Sequence, residues 1–158
     1  MSNHKAILDS HAQHYQKSCA ASGMELVLKL HSFVDAQFRD FQDKYGNTNI
    51  GFEKLADMAN FGITAQDHET PIEDGLSRIQ DEIQRGHYPI LSMYSDPVGW
   101  HIWVAVPDGD SFRLLSRAYG YDETLEIDDL DVLRQNLTKF RGGKIHFVTY
   151  DLSEPDGK

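Results

Sequence analysis

The sequence predicts an α+β fold, with helices in the first half of the chain and an antiparallel sheet in most of the second. Three observations predict it. Apolar residues recur every three or four positions as far as Ile83, which is the helical period. From Tyr88 the runs shorten and alternate two faces, which is the strand period. Between two such runs stands Pro107-Asp108-Gly109-Asp110, whose Asp-Gly pair is a hairpin signal.

The elements follow in order. Ser18 has the chemistry of a helix N-cap, and Ala20, Met24, Val27 and Leu28 keep helical spacing, so a helix is expected from about Cys19 to His31. Val34, Phe38, Phe41 and Tyr45 predict a second helix ending near Gly46, and Phe52, Leu55, Ala56 and Ala59 a short third, stopped by Gly62. Gly62 to Glu69 reads as a linker. Thr70-Pro71-Ile72-Glu73 has the pattern of a capping box with proline at the first helical position. The helix it opens carries Ile72, Leu76, Ile79 and Ile83 on one stripe and ends at Gly86. Strands are expected over Tyr88 to Tyr94, Trp100 to Val106, Ser111 to Ser116 and Lys144 to Tyr150. A helix through Leu130, Leu133, Leu137 and Phe140 spans Asp128 to Phe140, and the acidic stretch Asp122 to Asp131 reads as its solvated start. Residues 1–152 are expected to form a single domain, with 153–158 as a disordered tail.

Composition narrows the function. The chain has 158 residues and a formal net charge of −10, which disfavours a nucleic-acid binder, since that needs a basic face. One cysteine, Cys19, forms no internal disulfide and excludes a cysteine-rich metal site. His11 and His14 are spaced i, i+3, but no third ligand stands at a supporting distance, so no metal and no cofactor is expected. No apolar run is long enough to span a membrane, and the polar stretch Met1 to His14 lacks the apolar core of a secretory signal. The expected location is therefore cytoplasmic, with non-classical export as an effector left open.

Chemistry concentrates on two residues. Cys19 falls at a predicted helix start, where free N–H groups and the positive end of the helix dipole favour the nucleophilic thiolate. A lone cysteine is otherwise a small buried apolar residue. Of eight histidines, His4, His11, His14, His31, His68 and His87 lie in polar or loop contexts and are expected to be solvated. His146 on the last strand is surface or core. His101 differs: a strand fixes it in place, as a catalytic base requires, or else it is a hydrogen-bonded sheet histidine.

These residues and their order resemble the papain-like cysteine peptidases. Gln13 precedes Cys19 by six residues, a helix follows, and a strand histidine comes after the helical half. The bacteriocin-processing, double-glycine-leader peptidases are the most similar subtype. Their helix-to-strand segment is matched by Ile83-Gln84-Arg85-Gly86-His87-Tyr88-Pro89-Ile90, and their Gly-His strand by Gly99-Trp100-His101-Ile102-Trp103-Val104. The resemblance covers Gln13 to Tyr150. It implies a papain-like fold, with the Cys helix of the N-terminal helical half packed on a C-terminal antiparallel sheet. It further implies a Cys19–His101 pair, with Gln13 and the Cys19 backbone N–H as oxyanion-hole donors.

The sequence departs from that pattern at three places. Ala20 stands where the family usually has glycine after the cysteine, and Trp100 separates Gly99 from His101. The third departure matters most: Leu115-Ser116-Arg117-Ala118-Tyr119-Gly120 puts Ser116 at the position of the family's Asp or Asn. Hairpin geometry leads to the same residue. With Asp108-Gly109 as a two-residue turn, Pro107 pairs with Asp110 and the ladder brings Ser116 opposite His101, unless a bulge puts Leu115 or Arg117 there. A neutral serine fixes the imidazole tautomer but stabilises its cation less than a carboxylate does; Asp122 from the following loop is the other candidate.

Three functions are consistent with this. The first is a thiol hydrolase acting on a protein or peptide substrate. The second is a glutamine deamidase or transglutaminase-like effector using the same site. The third is a non-catalytic papain-like binding domain, which the Ser116 departure motivates. Trp100, Trp103, Tyr119 and Tyr121 either line a substrate groove or pack as ordinary sheet and loop aromatics.

Overall fold

The structure is a computed structural model that describes residues 4–10, 19–31, 63–95, 99–118, 120–121 and 123–152. In these, α1 spans His4–Asp9, α2 Cys19–Leu30, β1 Ile63–Pro71, α3 Ile72–Gln84, β2 Ile90–Ser95, β3 Gly99–Asp108, β4 Ser111–Ser116, β5 Leu125–Ile127, α4 Leu130–Arg141 and β6 Lys144–Leu152. The strands form one sheet in the order β1-β6-β2-β3-β4-β5, with every neighbouring pair antiparallel. The α+β class expected from the sequence is what the chain adopts. The two helices expected over Val34–Tyr45 and Phe52–Ala59, the Ser18 cap and the tail at 153–158 lie outside the described residues.

Both faces of the central strands are buried, which is why β3 reads as an almost continuous apolar run. One face carries Leu91, Met93, Trp103, Ala105, Phe112, Leu114, Ile145 and Phe147. It packs against Leu76, Ile79 and Ile83 of α3 and Leu133 and Leu137 of α4. The other face buries Ile90, Val104, Val106, Leu115 and Val148. Leu8 of α1 and Leu26, Val27 and Leu30 of α2 are buried as well, and α2 packs chiefly on β3. Each such side chain contributes about 1.5–3 kcal/mol when taken fully out of water.

Several local expectations are corrected. The polar N-terminus contains α1, held by Leu8 and by the Asp9 carboxylate, which accepts the Thr124 hydroxyl proton. Six residues offer too few apolar positions to display a period. The stretch Gly62 to Glu69 is not a linker, because residues from Ile63 onward form β1, paired along its length with β6. Its buried-side positions are polar: His68 stacks on Phe147 with ring centroids 5.0 Å apart and meets the Thr149 hydroxyl at 2.7 Å. Part of the acidic stretch, Leu125–Ile127, is strand β5 rather than helix start. Asp129 then caps α4, accepting from Asp131 N at 2.9 Å.

The capping box does not form. Thr70 donates to the Pro71 carbonyl at 2.9 Å, and α3 begins at Ile72, whose N–H is taken by the Gly143 carbonyl at 3.2 Å. Glu73 does not reach back, because its carboxylate holds Arg134 through two bonds of 2.8 and 3.3 Å. Gly86 ends the helix as expected, with φ of 88°. The hairpin turn also differs. Asp108 pairs with Ser111, so the turn residues are Gly109 and Asp110, and Gly109 takes φ of 61° at the first turn position, as the primed hairpin turns require. The ladder is therefore displaced by two residues from the expected one. Carried one step past Val104↔Leu115, it sets Ser116 opposite Trp103 rather than His101.

Candidate active site

Cys19 is the first residue of α2, so its backbone N–H is one of those a helix leaves without an intrahelical partner. The Cys19 side chain, Gln13, Tyr119 and Asp122 lie outside the described residues, as do His11 and His14.

His101 stands third in β3 and is 7% exposed. Its Nε2 lies 2.8 Å from the Arg117 carbonyl oxygen. A carbonyl only accepts, so Nε2 carries the proton and donates, and Nδ1 keeps its lone pair. Burial holds the His101 pKa below the ordinary imidazole value, and the bond to Arg117 offsets part of that. Trp103 meets the imidazole edge-on, with ring planes at 90° and centroids 6.4 Å apart.

Ser116 does not bond the imidazole. Its hydroxyl donates to the Ile102 carbonyl at 2.5 Å and lies 3.4 Å from the Arg117 carbonyl. The expectation that Ser116 orients His101 directly is corrected by the displaced register: a backbone carbonyl one residue farther along accepts the bond.

The aromatic residues separate. Trp103 is 3% exposed and packs in the cluster beneath α3 and α4, so it lines no groove. Trp100 is 54% exposed and meets Tyr94 edge-on at 6.0 Å; Tyr94 in turn lies 4.5 Å from the Phe140 ring. Tyr121 is exposed.

His101 and α2 approach the sheet from opposite faces. Residues two apart on a strand, and direct antiparallel partners, share a face. His101 thus shares its face with Trp103 and with its partner Met93, both under α3 and α4. At the end of α2, His31 bonds the hydroxyl of Tyr150, which alternates with Phe147 and lies on the other face. His31 sits beside Tyr88, about level with Val106 in the β2–β3 register. The 12 residues of α2 span about 18 Å. The five strand steps from Val106 back to His101 cover about 17 Å.

Of the histidines expected to be solvated, the four among the described residues are buried or half-buried. His31 Nε2 meets the Tyr150 hydroxyl at 2.7 Å, and the same hydroxyl accepts the Tyr88 N–H at 2.7 Å. Burial, with His87 beside it, pushes the His31 pKa down to about 4. His87 Nδ1 bonds the buried Glu82 carboxylate at 2.8 Å. His4 is buried next to Tyr88. The sequence did carry one signal: His31 continues the Val27 stripe of α2 at i+4. His146 is half-buried and bonds Asp67 at 3.1 Å. Among the described residues, no group of three or more His, Cys, Asp or Glu is placed to hold a metal ion. No helix of the described residues is long and apolar enough to cross a membrane.

No family model and no curated protein matches the chain.

Proposed function

We propose that the chain is a papain-like thiol hydrolase that attacks a peptide or amide carbonyl through Cys19, with His101 as base. The Cys19 proton passes to His101 Nδ1, and the thiolate forms a bond to the carbonyl carbon. The oxyanion takes the Cys19 backbone N–H and, by the family resemblance, the Gln13 side chain. The proton on Nδ1 then goes to the leaving amine as the C–N bond breaks, and water hydrolyses the thioester.

The observation that carries the reading is the buried, tautomer-fixed imidazole of His101. Its hydrogen bond to Arg117 commits Nε2 as donor and leaves Nδ1 basic, which is what a general base needs. The lengths of α2 and β3 match, so a helix running back along β3 from the level of Val106 brings its start level with His101. The mechanism then requires the thiol to reach Nδ1 around the end of β3, past Trp100.

That requirement favours one second reading, a non-catalytic binding domain, since α2 and the imidazole belong to opposite faces. Alkylation separates the two. As an activated nucleophile, Cys19 reacts with iodoacetamide at pH 6 about tenfold or more faster than glutathione, and His101→Ala removes the difference. Equal rates for Cys19 and glutathione leave the binding domain. If Cys19 is activated, mass analysis of protein substrates distinguishes fragments from the gain of about one dalton per glutamine that marks deamidation.

A further inference from the structure

We infer that the Arg117 backbone carbonyl takes the place of the orienting carboxylate, and that Ser116 is a positioning residue that holds this carbonyl against His101. The catalytic role rests on the thiol-hydrolase reading; the hydrogen-bond arrangement does not.

The β3–β4 ladder stops at Val104↔Leu115. Beyond it two side-chain bonds join the strands, and they cross one residue apart. Ser116 Oγ donates to the Ile102 carbonyl at 2.5 Å, and His101 Nε2 donates to the Arg117 carbonyl at 2.8 Å. Ser116 adjoins Arg117, and Ile102 adjoins His101. The serine therefore clamps both strands beside the two residues whose bond fixes the tautomer. Its oxygen also lies 3.4 Å from the Arg117 carbonyl itself.

Both oxygens facing Ser116 Oγ are acceptors, so this position needs a donor. An ionised carboxylate has none to give. An aspartate here either faces two carbonyls as an ion, which costs it hydrogen bonds and breaks the clamp, or stays protonated and carries no charge to the imidazole. Serine at this position is then fitted to its surroundings rather than a degraded aspartate. The two views make opposite predictions for Ser116→Asp.

The test combines ring ¹⁵N NMR of His101 in a Cys19→Ala chain, where no thiolate charges the ring, with the rate of Cys19 alkylation at pH 6 in the full chain. With Cys19 replaced, the neutral ring is expected to hold its proton on Nε2, and the same background carries the Ser116 variants for NMR. Ser116→Thr, which keeps the hydroxyl, retains both the tautomer and the alkylation rate. Ser116→Ala populates the Nδ1–H form and slows alkylation by about tenfold, a fraction of the roughly 10²–10⁴-fold that a positioned acid–base group contributes. Ser116→Asp slows it too. The proposal is overturned if the neutral ring of the Cys19→Ala chain carries its proton on Nδ1, or if Ser116→Asp speeds alkylation. An Nε2–H signal that depends on the Ser116 hydroxyl in a chain whose Cys19 is unactivated upholds the clamp and removes only the hydrolase reading.

Discussion

Two effects oppose each other at His101. Burial favours the neutral ring, and the Arg117 carbonyl favours the cation that keeps donating to it. Burial is the larger, so the neutral base persists further into acid than a free imidazole. In a Cys19→Ala chain, where no thiolate perturbs the ring, NMR titration of His101 is expected to give a midpoint below 6.5; a midpoint at or above that value contradicts the burial argument. The sequence showed that His101 is held by a strand, and that serine stands near it. It did not show which atom holds the imidazole. A backbone carbonyl has no residue-type signature, and its position depends on whether the turn begins at Asp108 or Gly109. That two-residue difference left His101 and Ser116 on one face while exchanging the partner of each.

At the level of elements, α3 lies so close to β6 that a glycine marks the approach. A Cβ on Gly75 would come within 2.2 Å of Ile145 Cγ2 and 2.8 Å of Thr70 Oγ1. Gly75→Ala is expected to destabilise the fold by about 1–2 kcal/mol, the cost of overpacking less the gain in helix propensity. Urea unfolding measures it, and an unchanged or raised midpoint refutes the close packing. The stripe of α3 was plain in the sequence because Leu76, Ile79 and Ile83 are apolar and regularly spaced. β1 was not, because His68 and Thr70 occupy its inner positions and a strand whose inner face is polar displays no alternation. The capping box misled for a different reason: Glu73 had a stronger partner in Arg134, sixty-one residues away along the chain.

For the molecule as a whole, the buried histidines join the α1–α2 layer to the sheet. His31 is neutral in the folded chain, with a pKa of about 4, because it is buried and lies beside His87. An unfolded chain takes up that proton near 6.5. Between these values the unfolded state binds more protons, so stability falls as the pH drops from about 6.5 towards 4. The full gap is on the order of 3 kcal/mol before solvent screening reduces it. His4, His68 and His101, also held low, act in the same direction. The urea midpoint is expected to be lower at pH 5 than at pH 7.5, with a smaller drop in His31→Gln; equal midpoints in the wild type rule the coupling out. The overall class was legible from periodicity, whereas this layer contact was not. It pairs a histidine at the end of one helix with tyrosines from two strand regions far along the chain.

The polarity that hid β1 has a consequence for how the protein keeps company with itself. Among the described residues, β1 is the last strand in the sheet order and spans nine residues, long enough to template another chain. Its exposed positions include Gln66, Asp67 and Glu69. A second copy bringing its own β1 alongside would set carboxylates against carboxylates. The strand that shows least periodicity thus discourages edge-to-edge aggregation, and an apolar version of it, easier to recognise in a sequence, would be harder to keep in solution.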